Sequence, residues 1–443
     1  MSEPIDIIPA AAAYANLDHP ASRYPKPDRG KERLVPLANI VHEPVFSIDQ
    51  DDQIFAIGSC FAREIERAMM RLGFDVVSKN LGDVGAGEDF QWLRNKFTTK
   101  SILQDLKWAL DGATDDELAA TYATSDDGKT WTNLGFGGSH ATIPVALDEL
   151  LVAHRLWLEQ IALIRNCRVV VMTLGLSEAW YDSRTGTYTN IAPTRQVVAS
   201  DPERYQMHVL SYPQLLEDLE ACWSLLRKHC RADQKMLLTV SPVPLHATFR
   251  GQDVMTANCY SKSTLRAVAE AFCMAHGDVA YFPSYEIVTL ADRKEAWVSA
   301  DYRHVNSTMV DHIMHAAMSA YVEGIALMPT RHAMQAMVLA KQHAAVVEVF
   351  EANGGLGEVA QSYALHYAGI CYTALGDMKL AEGCLRLALE RSPKNLQTMI
   401  RLGRVLVRTD RPTEALQLAN RALQHNPKLG IALKLRDRLT RRR

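Results

Sequence analysis

Apolar and polar positions alternate in two periods along the first three quarters of the chain. Gln53-Ile54-Phe55-Ala56-Ile57 is a strand-like run that stops at Gly58. Phe61, Ile65, Met69 and Leu72 then recur at helical spacing until Gly73, and Phe74-Asp75-Val76-Val77 reads as a second strand. Leu150 to Arg165 reads as an amphipathic helix ahead of the apolar run Arg168 to Leu174. A helix from about Tyr212 to Arg231 precedes Met236 to Val240, and one from about Ser263 to His276 precedes Val279 to Phe282. A last helix is expected over about Ser307 to Ile325. Near-continuous apolar strands alternating with helices predict a doubly wound α/β domain with a parallel sheet buried on both faces.

Residues 1–40, with Pro20, Pro25 and Pro27 close together, read as an N-terminal extended arm. The α/β domain is expected over 41–328, with a helical and looped cap insertion at about 90–142 that contains the flexible turn Gly135 to Gly138. From Arg331 the pattern is helical throughout, so 329–443 forms an all-α domain. Pro393 and Pro427 are 34 residues apart, as are Ala388 and Ala422, Leu389 and Leu423, Ala381 and Ala415, and Gly369 and Gly403. Small residues where paired helices touch, and Pro ending the second helix, resemble a pair of tetratricopeptide repeats over Gln361 to Pro427, with Ala336 to Glu351 as a degenerate predecessor. Such a resemblance implies a protein partner, or self-association through the repeats.

Composition narrows the class. Hydrophobic residues make up 48% and charged residues 22%, and the formal net charge is −3. That balance gives no reason to expect nucleic acid or an anionic membrane surface, and no apolar run is long enough for a membrane span. Eight scattered cysteines without a Cys-x-x-Cys pair argue against a disulfide framework and a zinc site; they fit a reducing, cytoplasmic setting.

In an open parallel sheet, ligands bind beyond the carboxyl ends of the strands. Gly58-Ser59-Cys60 follows the first strand, Gly175-Leu176-Ser177-Glu178 the third and Ser241-Pro242 the fourth; Asp301-Tyr302-Arg303-His304 precedes the last helix. A nucleophile at a strand-to-helix turn meets the positive end of a helix and its free amides. Cys60 and Ser59 both occupy that place. Asp301, three residues before His304, can orient the imidazole as a proton shuttle. Gly175 and Ser177 are candidate oxyanion donors, and Glu178 is a candidate site or ion-pair carboxylate.

Gly58-Ser59-Cys60-Phe61-Ala62 spells the motif that names the GSCFA family, part of the SGNH/GDSL esterase-like superfamily. Thr173 to Trp180, Tyr281 to Glu286 and Lys262 to Arg266 also resemble that family's sequences. The resemblance spans roughly residues 40 to 325 and implies an SGNH-like, flavodoxin-like three-layer sandwich. It places the nucleophile at Cys60, the His-Asp pair at His304 and Asp301, and Ser177 where the superfamily's oxyanion Asn stands. Gly82, Gly85, Gly87, Gly137 and Gly138 are candidates for the oxyanion glycine. The implied activity is that of an esterase or O-acyltransferase acting through a thioester on an acyl ester or thioester, including a glycan acetyl group. No cofactor is required, and acetyl-CoA or another acyl thioester is a natural donor. The alternative is a non-catalytic binding or scaffold protein: a repurposed SGNH-like domain joined to a protein-binding repeat domain.

Overall fold

The structure is a computed structural model. It describes residues 5–19, 21–26, 33–34, 37–79, 94–124, 128–137, 143–298, 300–322, 329, 331–339, 341–357 and 361–440. The chain divides into two compact units, Met1–Glu323 and Gly324–Arg443.

In the first unit, five strands form one sheet: β1 (Gln53–Gly58), β2 (Asp75–Val76), β3 (Val169–Leu174), β4 (Lys235–Val240) and β5 (Val279–Tyr281). They lie in the order 2-1-3-4-5, and every neighbouring pair is parallel. This is the flavodoxin-like doubly wound order, with its topological switch between β1 and β3. All six residues of β3 are buried, as are Ile54 to Gly58 of β1. Side chains alternate between faces. Phe55, Ile57, Val170 and Met172 join the core that also holds Trp157, Leu219, Leu265 and Phe272. Those four residues lie on or beside α2 (Leu147–Ala162), α3 (Tyr212–His229) and α4 (Val254–Ala275). Two further helices, α1 (Cys60–Arg71) and α5 (Ser307–Tyr321), pack against one another.

Four features depart from the sequence expectation. Helix α4 begins at Val254, nine residues before the expected start, because its first turns carry polar residues such as Asn258, Ser261 and Lys262 that hide the apolar period. A second, antiparallel sheet of Glu178–Asp182, Thr187–Thr189 and Tyr205–Val209 was not expected; its strands are short and mix Thr, Tyr and charged residues, so they carry little alternation. The insertion adds a two-stranded hairpin, Ala123–Thr124 with Trp131–Thr132, to its helices Thr99–Leu110 and Asp115–Ala120. The N-terminal arm is not extended throughout: its alanine-rich segment forms the exposed helix Ala10–Asn16, as alanine's high helix propensity favours.

The second unit consists, among its described residues, of α6 (Arg331–Leu339), α7 (His343–Ala352), α8 (Ser362–Leu375), α9 (Met378–Arg391), α10 (Leu396–Arg408), α11 (Pro412–His425) and α12 (Gly430–Thr440). The period of 34 falls on helix contacts: Ala381, Ala388, Ala415 and Ala422 are all fully buried. This is a helical-repeat architecture.

Gly58 fixes the geometry at the end of β1. Its φ is +139°, and a Cβ there would stand 2.1 Å from Thr173 Oγ1 and 2.5 Å from the Thr173 carbonyl oxygen. Gly58→Ala is therefore expected to destabilise the α/β unit by about 3 kcal/mol or more, measured as an earlier urea midpoint. An unchanged midpoint would contradict the close approach.

Candidate active site

The turn after β1 is built from buried polar contacts. Ser59 is the N-cap of α1 with extended backbone. Its N–H donates to Thr173 Oγ1 (3.1 Å) and its hydroxyl donates to Ser241 Oγ (3.1 Å), so it ties β1 to the ends of β3 and β4. Ser59 is 4% exposed. Beneath it, Arg63 donates to the Ala56 carbonyl (2.8 Å) and pairs with Glu66, which also takes the Ser78 hydroxyl and Arg94. This buried network clamps the first turns of α1 against the sheet. Cys60, the next residue, opens α1 and is partly exposed.

The net shift of the Cys60 thiol is upward, toward the neutral form. Burial pushes its thiol up from the ordinary value, while Arg303, Lys262 and a hydrogen bond from the Phe61 N–H pull it down; Glu64 adds to the upward push. Lys262 is fully buried on α4 and donates to the Gly175 carbonyl oxygen (2.7 Å). Burial drags its ammonium down to about 7, and the Cys60 charge opposes that drop. Near neutrality this lysine is therefore poised between amine and ammonium beside a thiol.

The loop ahead of α5 carries Arg303. Arg303 acts on the Cys60 sulfur across some 240 positions of sequence. In that loop Asp301 accepts the backbone N–H groups of Arg303 (2.9 Å) and His304 (3.1 Å), and its second oxygen pairs with His304 Nδ1. These bonds, with the His304 contact among them, hold the Asp301 carboxyl well below the usual carboxylate range. Tyr302, between them, sits at φ +52°, a strained turn residue. His304 Nε2 has no partner among the described residues, and no hydrogen bond joins it to Cys60 in this structure.

The third strand end is organised differently. The Ser177 N–H donates to Ser261 Oγ (2.9 Å), and the Ser177 hydroxyl is fully buried without a partner. Glu178 accepts from the Thr248 hydroxyl (2.6 Å) and the Phe249 N–H (3.2 Å), which holds the 248–249 segment in place. Gly175 enters through its carbonyl oxygen, the acceptor of Lys262. Of the glycine candidates, Gly82, Gly85, Gly87 and Gly138 lie outside the described residues, and Gly137 is buried. Among the described residues no group of three or more His, Cys, Asp or Glu is arranged to hold a metal.

Lys262 and Arg303 were not singled out from sequence. The signal for Lys262 was its register: it shares the helix face of Leu265, Ala269 and Phe272, where a lysine must be buried.

A doubly wound α/β domain with a helix-opening cysteine at the end of its first strand, on which a buried lysine and an arginine of the loop before α5 act, belongs to the class with its candidate site at the carboxyl edge of the sheet. A model of the GSCFA family matches residues 53–316, and the chain belongs to that family. No curated protein matches it. Among solved structures, the Arabidopsis OM64 TPR domain is 21% identical, covers 25% of this chain and 89% of its own, and superposes with a TM-score of 0.23. A score that low carries no argument about this chain.

The electrostatics of Cys60 give a signed expectation. Removing a cation raises a thiol's pKa, so Arg303→Gln should move the pH midpoint of Cys60 alkylation upward, and Lys262→Met should move it upward by less. The measurement is peptide-resolved mass spectrometry after iodoacetamide treatment across pH, in a Cys259→Ser background because Cys259 is exposed. A midpoint that neither substitution moves would show that these groups do not act on the sulfur.

Proposed function

We propose that the α/β unit is an SGNH-like esterase or O-acyltransferase that works through Cys60. What supports this reading is a cysteine at the α1 N-terminus on which the charges of Lys262 and Arg303 act, the latter from the loop in which Asp301 holds His304. Cys60 is favoured over Ser59 because the Ser59 hydroxyl is buried and committed to Ser241.

In the proposed reaction the Cys60 proton passes to His304 Nε2 as the sulfur adds to the acyl carbonyl carbon. The tetrahedral oxyanion lies against the free first-turn amides of α1. Collapse expels the alcohol or thiol, which takes the proton back from the imidazolium and leaves an acyl thioester on Cys60. Water or an acceptor hydroxyl then attacks that carbonyl, gives its proton to His304, and releases the acid or new ester; the proton returns to the thiol. Asp301 holds the ring through Nδ1 and stabilises the imidazolium. The acyl group is carried by an ester or thioester: a glycan acetyl ester is the expected substrate if the reaction is hydrolysis, and a glycan hydroxyl is the acceptor, with acetyl-CoA as a donor, if it is transfer. No resident cofactor is required.

The eight cysteines are all unpaired, which suits a reducing cytoplasmic setting. No described helix is long and apolar enough to cross a membrane. The helical unit is proposed to be tetratricopeptide-like, binding a protein partner. One observation favours a non-catalytic scaffold instead: the absence of a Cys60–His304 hydrogen bond.

Kinetics with p-nitrophenyl acetate separate the two readings. Cys60→Ala is expected to abolish turnover, and His304→Ala and Asp301→Asn to lower kcat by about 10²–10⁴-fold, with circular dichroism unchanged. Full activity in folded Cys60→Ala would sink the enzyme reading.

A further inference from the structure

A polar pocket of about 470 Å³ opens in the α/β unit, within the size range of small-molecule sites. None of its lining residues comes from the Cys60 turn, from α4 or from the Asp301–His304 loop. Its walls are the hairpin strand Ala123–Thr124, the turn after Asp182, the short helix Arg195–Ser200 and the start of the strand Tyr205–Val209.

Two ion pairs build these walls. Arg204 is buried and spends its guanidinium on Asp182 (2.6 Å at the shortest contact) and on the carbonyls of Ala120 (3.0 Å) and Tyr122 (3.3 Å), which ties the antiparallel sheet to the insertion. Arg184 pairs with Asp201 across 2.7 Å. Each arginine therefore has its aspartate, and the pairs leave no net charge to draw in an ion.

Tyr205 is the exception to this pairing. It lines the pocket and is 7% exposed, yet its hydroxyl is buried without a hydrogen-bond partner. Buried hydroxyls in folded proteins nearly always have a partner, so this one calls for a polar group from outside the chain. Burial pushes the phenol up to about 12, and the charges acting on it are those of Arg204, Asp182, Asp201 and Arg184, the same two pairs. At pH 7 it is a neutral donor and acceptor.

We infer that this pocket binds a neutral sugar residue, whose hydroxyls meet Tyr205 Oη and the Arg184–Asp201 pair. Adjacent sugar hydroxyls each donate and accept; Arg184 only donates, the Asp201 carboxylate only accepts, and the Ser200 and Thr124 hydroxyls do both. Val197 and Ala123 give the C–H face of the ring a small apolar patch. An anion finds no unneutralised cation here. A nucleobase finds no free face on Tyr205, because Arg204 lies 5.0 Å over the ring and Ala123 and Leu134 pack against it. The inference goes beyond the acyl chemistry proposed for Cys60 and does not depend on it.

Saturation-transfer difference NMR with the full chain tests this. The probes are the methyl glycosides of glucose, galactose and mannose, and N-acetylglucosamine, with acetate and AMP as the anion and base controls. At least one sugar is expected to bind, and to lose about tenfold in affinity with Tyr205→Phe, which removes only the hydroxyl, and with Asp201→Asn. Tyr205→Phe is expected to leave the melting temperature of the sugar-free protein undiminished, because that hydroxyl has no partner to lose. Cys60→Ala is expected to bind the sugar unchanged. No signal from any of the four sugars, a signal that neither Tyr205→Phe nor Asp201→Asn weakens, or preferential binding of acetate or AMP overturns the site. Loss of sugar binding in folded Cys60→Ala overturns it too, since the sugar would then occupy the reaction site.

Discussion

At the end of β1 the backbone passes so close to Thr173 that no side chain fits at Gly58, and everything in the candidate site is registered from that contact. With Gly58 against β3, the Ser59 N–H meets the Thr173 hydroxyl and its own hydroxyl meets Ser241. Ser59 is thereby consumed in joining three strand ends, and Cys60 is the first residue free to leave the sheet. The same contact sets the start of α1, so the sulfur lies where the helix has amides to spare and a positive end. The Arg63–Glu66–Arg94 network locks the turn from below.

Electrostatics at this edge are a balance. Burial favours the neutral thiol of Cys60 and the neutral amine of Lys262, and each would stabilise the other's charge. A pair of this kind costs little while both partners are neutral. It becomes an ion pair only when the thiolate forms while Lys262 holds its proton. Arg303 adds a charge from the loop that also carries His304. Asp301 holds that segment through two backbone amides as well as the imidazole.

Much of this architecture was legible from residues alone. The fully buried strands announce themselves as unbroken apolar runs, and the parallel sheet follows from βα alternation. Cys60, Asp301 and His304 were candidates because strand-end position restricts where chemistry sits. Lys262 was not, because a lysine reads as solvated unless its helical register is followed; Arg303 was overshadowed by the histidine beside it. Strand-end position made Ser177 and Glu178 candidates, and their contacts are with Ser261, Thr248 and Phe249. The antiparallel sheet escaped notice because strands of three to five residues show too few alternations.

The most direct test of the central claim is to trap the acyl group. The protein is mixed with p-nitrophenyl acetate, quenched in acid within the first turnover, digested, and mapped by mass spectrometry. The account predicts an acetyl thioester on Cys60 that disappears on treatment with hydroxylamine at neutral pH. An acetyl ester on Ser59, or no adduct on this turn while hydrolysis proceeds, would contradict it.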